Sequence, residues 1–276
     1  MRALVASEFY KLFKQGKTYY ALAALFLIES VVLISAYFQG ATIIDILLDN
    51  LKQSFYFEGS LLNGNLLVYL ILNSLWFNLP LILMIIVSGM LTSEYKDRTV
   101  QAVMLQPVSK WKFMLSKYIV AIIFTLIVVV LVALSSFLLS YGIFGKGDLI
   151  VYLNALNFFE QEDAFKRLIW AFFSGAFSMV FFSVASLTLA VFFKETTKTW
   201  IVAALFLILS NILLKVDFGY SFINSVLFVK LNDTWQYFFY HVIDWKLIGR
   251  NTLMLTIYIG ACIALGVYVF DKKDIG

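Results

Sequence analysis

Cysteine and histidine each occur once in 276 residues, proline twice, and charged side chains make up only 14% of the chain. Each shortage closes off a class of function. The single thiol, Cys262, rules out an intramolecular disulfide and sits in an apolar run, where a buried, inert thiol is expected. A lone His241 cannot build an HExxH zinc site or a bis-histidine haem site, and no GxSxG turn marks a serine nucleophile for it to activate. It reads as a satisfied residue of an aromatic belt. Gly16, Lys17 and Thr18 imitate the tail of a nucleotide-binding loop, but Lys11 stands where the first glycine is required and an apolar run follows. The chain therefore has no phosphate-binding loop of its own. No internal repeat, low-complexity tract or linker is visible.

What the chain has in excess is apolar surface. Hydrophobic residues are 62% of the total and the mean hydropathy is +0.90, more than a soluble domain of this length can hide. The expectation is an all-α integral membrane protein, residues 1–276 forming one transmembrane domain. Apolar runs of spanning length predict six helices at about 18–38, 66–91, 113–141, 168–193, 199–214 and 252–270. The stretch Phe218 to Val229 is only about 12 residues, too short to cross, and is expected to be a re-entrant or interfacial element leading into an aromatic belt from Trp235 to Tyr240. Within residues 1–17, Val5, Phe9, Leu12 and Phe13 share one helical face, with Ser7, Glu8, Lys11, Lys14 and Gln15 opposite. That pattern predicts an interfacial helix.

Six spans put both ends on one side. The segments on that side hold 13 Lys and Arg against 6 acids, and those on the other hold 8 against 10. By the positive-inside rule both termini are cytoplasmic, in a plasma or inner membrane. The segment Ser93 to Lys117 then forms a cytoplasmic platform, with Lys96, Arg98, Lys110, Lys112 and Lys117 against Glu94 and Asp97. A short helix is expected from Thr99 to Leu105, ended by Pro107. Glu94 and Arg98, one turn apart, are expected to form a surface ion pair. Lysines among the aromatics of Lys110 to Lys117 read as lipid-headgroup anchors and not as a nucleic-acid contact.

Inside the spans, Glu29 costs about 3 kcal/mol at that depth unless it faces protein or water. The expected partner is Asn73 or Asn78 of the second span; the other reading is a substrate or proton contact in a secondary transporter or channel. Pro80 is expected to kink the second span, as a feature of a pathway or of packing. The fourth span carries Ser174, Gly175, Ala176, Ser178, Ser183, Ala185 and Ser186, small residues that let helices approach closely.

A basic amphipathic start and two spans are followed by Glu94, Thr99, Pro107, Ser109, Lys110 and Lys117 in that order. Together with the ending Tyr268 to Ile275 they resemble the ABC-2 family of ABC exporter permeases (type V-like). The likeness covers the whole chain as topology and about 25 residues as motif; where the family usually has Gly before the Thr, this chain has Arg98. The resemblance implies a six-helix half that pairs with a second, identical or homologous permease subunit and docks two separate ABC ATPase subunits. Those partners would hold the ATP and Mg; this chain would bind no cofactor and perform no catalysis itself. It implies a coupling helix at Val100 to Gln106, with an ATPase-coupling surface of Glu94, Arg98, Thr99, Val100, Gln101, Ala102, Val103, Met104, Leu105, Gln106 and Pro107. A second contact maps to Lys194, Glu195, Thr196, Thr197 and Lys198. Short outer helices between spans five and six match Phe218 to Val229. The exported substrate is left open among hydrophobic drugs, peptides and lipids. A membrane-embedded protease would need a glutamate pair and histidines that the sequence lacks.

Overall fold

The computed structural model describes residues 1–52, 61–153, 155–216, 219 and 226–273. Six of its helices are long and apolar enough to cross a bilayer, which makes the chain a multi-pass helical membrane protein. In chain order these are preceded or separated by shorter elements: α1 (Arg2–Lys14), α2 (Gly16–Lys52), α3 (Gly64–Lys96), α4 (Thr99–Met104), α5 (Lys110–Phe144), a β-hairpin of β1 (Leu149–Leu153) and β2 (Ala155–Phe159), α6 (Gln161–Phe193), α7 (Thr196–Lys215), α8 (Phe228–Leu231), a 3₁₀ turn (Thr234–Phe239) and α9 (Trp245–Lys272).

The small residues of the fourth span place it at the centre. Of the six spans α6 is the most enclosed, and α2, α7 and α9 are the least. Ser174, Ser178, Ser183 and Ser186 are all buried. Gly175 lets the Trp76 ring of α3 approach so closely that an added Cβ would lie 3.0 Å from it, the close contact that small residues permit in lipid. Hydroxyls then tie the spans: Thr125 of α5 donates to Ser183 (2.8 Å), Tyr118 of α5 shares a hydrogen bond with Thr188 (2.8 Å), and Thr188 reaches the Cys262 carbonyl of α9 (3.2 Å). Gly266 of α9 sits over the Tyr118 hydroxyl with no room for a methyl group, the added Cβ falling 1.8 Å from the oxygen.

One end of the bundle is closed by a polar knot. Asn63 caps α3 by accepting from Leu66 N–H (3.1 Å) and donates to the Asp148 carbonyl (2.6 Å). Asn65 donates to the carbonyls of Gly147 (2.6 Å) and Gln161 (3.2 Å), and Asp148 in turn accepts from Gln161 N–H (2.8 Å) at the start of α6. Arg167, buried on α6, is held by Asp163 (2.6 Å), stacks over Phe159 of β2 and donates to the carbonyls of Phe238 (2.7 Å) and Tyr240 (2.8 Å). One guanidinium thus pins the hairpin and the 3₁₀ turn to the same helix. We call this the far end. The opposite, platform end gathers α1, α4, both ends of the α6–α7 turn and the last residues of α9.

Several expectations are corrected. The chain is not wholly α: Leu149 pairs with Phe159 and Leu153 with Ala155 in an antiparallel hairpin, whose alternation buries Leu149 and Val151 and exposes Tyr152. The spans outrun the apolar runs by one or two turns, α6 beginning at Gln161 and α9 at Trp245, because terminal Lys, Glu and Gln side chains are compatible with helix and reach for the interface. Helix α2 continues to Lys52, past the end expected for the first span at about residue 38. Pro80 lies inside α3, in the second span as expected, and the helix continues past it to Lys96. Residues 218 and 220–225 of the expected re-entrant element lie outside the described residues; its last two, Phe228 and Val229, begin α8.

Candidate functional site

At the platform end, four charged side chains from three helices close into one network. Lys117, near the start of α5 and fully buried, lies 2.6 Å from Glu8 Oε2, 2.8 Å from Glu94 Oε2 and 3.1 Å from the Met90 carbonyl. The Glu94 contact is an ion pair off the hydrogen-bonding direction. Lys11 closes the square from the solvent side, 2.7 Å from Glu8 Oε1 and 2.7 Å from Glu94 Oε1. Two acids and two bases leave the square electrically neutral. Burial pushes the Glu8 carboxyl up, but Lys117 and Lys11 outweigh it and hold the group below the ordinary glutamate range; Lys11 is correspondingly raised, its burial being overcome by Glu8 and Glu94. A lysine this deep is tolerable only with such company, since an unpaired buried charge costs several kcal/mol.

This overturns the surface pair expected of Glu94 and Arg98. Glu94 faces inward, and Arg98 is exposed with a left-handed backbone (φ 55°) that turns the chain from α3 into α4. Glycine is the residue such a turn favours. In α4, Val100 alone is fully buried and anchors the helix, while Thr99 donates to the Glu94 carbonyl (3.3 Å). Gln101, Ala102, Gln106 and Pro107 are exposed, Val103 and Met104 half-buried, and Leu105 is 89% exposed at the tip. A cleft of about 390 Å³ opens between α1, the end of α3 and α4, with Glu8, Lys11, Glu94 and Gln106 in its walls.

The α6–α7 turn joins the same end. Lys194, the second non-glycine residue with positive φ (59°), sets its Nζ 5.6 Å from the centre of the Tyr95 ring on α3. Glu195 and Lys198 form an exposed pair at 2.6 Å, worth little in water. Thr196 and Thr197 begin α7. Lys273 donates to the Val191 carbonyl (2.8 Å) at the end of α6, and Lys110 at the start of α5 donates to the Lys273 carbonyl (2.9 Å). Burial and the nearby Lys194 lower Lys273. Both stretches expected to form the coupling surface therefore lie at one end of the bundle, in contact where Lys194 meets the Tyr95 ring.

Within the spans, Glu29 is buried and accepts from Ser135 (2.7 Å) and Ser136 (2.6 Å) of α5. The expected partners Asn73 and Asn78 turn back on their own helix, donating to the Tyr69 and Ser74 carbonyls (both 2.9 Å). Serines of the third span meet the glutamate because α2 lies against α5, a pairing that periodicity alone does not reveal. Asn73 is exposed and Asn78 half-exposed on α3, and Asn211 is half-exposed on α7. At the far end, Asp233 is half-buried just before the 3₁₀ turn. Burial pushes its carboxyl up to about 7, against the opposing pull of Trp235, Lys230 and Gln236. Among the described residues no group of His, Cys, Asp and Glu is placed to hold a metal ion.

Fold and platform define a multi-pass helical membrane protein with a built ionic site at one end. Within that class, residues 31–276 match the model of the family described as Protein of unknown function (DUF2705), and the chain belongs to that family. No curated protein matches it. The matched region begins midway along α2, so Glu94 and Lys117 lie within it and Glu8 and Lys11 before it.

Proposed function

We propose that this chain is the permease subunit of an ATP-driven exporter of the ABC-2 type, moved by separate ATPase subunits that dock on the platform end. The observation that carries the reading is the buried square of Glu8, Lys11, Glu94 and Lys117. It joins the root of α4 to α1, α3 and α5, so a push on α4 is delivered to two spans and an interfacial helix at once. The exposed Leu105 and the polar cleft beside it offer a partner an apolar knob and a charged socket. The α6–α7 turn supplies the second contact. ATP and Mg belong to the partner, since this chain has no loop to cradle a phosphate.

In this reading the platform faces the cytoplasm, and α2, α3 and α7 line the contact with a second permease subunit. Asn73, Asn78 and Asn211 support it: amides left half-open to lipid are costly, and a polar path between two subunits would shelter them. Glu29, satisfied by two serines, serves helix packing better than a proton relay. The substrate class stays open between hydrophobic drugs, peptides and lipids.

The test is reconstitution with the candidate ATPase. Leu105→Glu and Arg98→Glu, both at exposed positions, are expected to abolish stimulation of ATP turnover and transport while leaving membrane insertion intact. Transport that survives ATP depletion, or that ignores both variants, ends the proposal. Glu94 is a poor site for this test, because its loss also loosens α1 and α5.

A further inference from the structure

A trough runs along the outside of the bundle between α5 and α6, floored by Ile259 and Thr256 of α9. It encloses about 840 Å³, and Thr256 is the one polar residue in its walls. On α5 it extends from Ile122 to Leu138, about 24 Å at the α-helical rise, room for one acyl chain at full extension. At the far end it opens into a second hollow of about 760 Å³ through the shared side chains Phe137, Leu138 and Phe165. There the lining changes character: Lys146, Lys166, Glu162 and Gln161 surround it. Lys146 and Lys166 are exposed, and neither makes an ion pair or hydrogen bond among the described residues. The neighbouring Arg167 and Asp163 are engaged with each other.

We propose that this trough holds one anionic glycerophospholipid of the leaflet at the far end, an acyl chain along α5 and α6 and the phosphate between Lys146 and Lys166. An apolar channel of membrane depth that ends in two lysines against the single carboxylate of Glu162, a surplus of one positive charge, matches an amphiphile with one negative head. A second copy of this chain is the poorer fit, since a two-fold contact on this face would bring the same lysines toward each other. The proposal rests on the membrane-spanning architecture and stands or falls independently of the exporter reading.

Native mass spectrometry of the full chain, purified in detergent and titrated with phosphatidylglycerol or phosphatidylcholine, tests it. One phosphatidylglycerol is expected to bind saturably, about tenfold or more ahead of phosphatidylcholine. Lys146→Gln with Lys166→Gln should erase that preference, and Ala133→Trp, which obstructs the trough midway along α5, should weaken binding of both lipids. Should the tryptophan variant fail to fold, the exposed lysine pair decides alone. Equal binding of the two lipids by the unaltered chain, or a preference that survives loss of both lysines, overturns the proposal. So does efficient crosslinking between two copies through Leu134→Cys in a Cys262→Ser background.

Discussion

Lys117 shows how strongly one residue can constrain the rest. It brings a charge into a fully buried place, and three acceptors from three positions in the chain answer it. Lys117→Met leaves Glu8 and Glu94 facing each other with only Lys11 between them, and Glu8→Gln leaves the square with excess positive charge. Each single change is expected to cost about 3–5 kcal/mol, read as a loss of thermal stability in detergent. The double variant, neutral again, should be more stable than the sum of the two losses implies. Strict additivity would mean the four groups are not one unit. Glu94 and Lys117 were legible in the sequence as members of a platform motif. Their joint burial was not, because the partner acid lies 109 residues from Lys117 and helical periodicity carries no information at that distance. The one local hint was a lysine set among Leu115, Tyr118 and Ile119, where an isolated charge has no reason to be.

At the scale of elements, the two turns that open the platform share an uncommon device, a non-glycine residue in the left-handed region. Arg98 and Lys194 each carry the Cβ penalty of that conformation, roughly 1 kcal/mol. Arg98→Gly is expected to stabilise the α3–α4 turn by a few tenths to 1 kcal/mol, measurable as a higher unfolding temperature. At the far end the 3₁₀ turn carries its own sensitivity. Asp233 has its folded-state value raised from 3.8 to about 7, so the fold favours the protonated acid. Its contribution is full at low pH and is lost as pH rises through about 7. Between pH 5 and 8, where Glu8 stays ionised, the unaltered protein should lose stability relative to Asp233→Asn; parallel curves would remove the effect. Element positions were largely readable from apolar runs, and their ends were not, since a charged residue closes a hydrophobic run without closing a helix. The hairpin was hidden by its brevity and by Asn154 and Asn157, which read as loop.

For the whole molecule, the even number of spans among the described residues, six, is the decisive feature. Helix α1 docks on the start of α5 through Glu8, and the last turn of α9 meets the start of α5 through Lys110. First and last helices therefore share one end of the bundle. Cysteines introduced at Ala3 and Lys272 in a Cys262→Ser background should both react with a membrane-impermeant maleimide from the same side of sealed vesicles. Labelling from opposite sides would require an odd number of crossings. Which side that is, the surplus of basic residues predicts as cytoplasmic.

The ionic square also bears on how the chain is made. Glu8 leaves the ribosome before Lys117, so the counter-charge already exists when the third span enters. A nascent chain deprived of its first turns would have to insert that lysine with Glu94 as its one remaining acid. The opening helix thus acts as a receiving dock for a later segment, and its removal should show first as slow or failed assembly, before any defect in the finished protein.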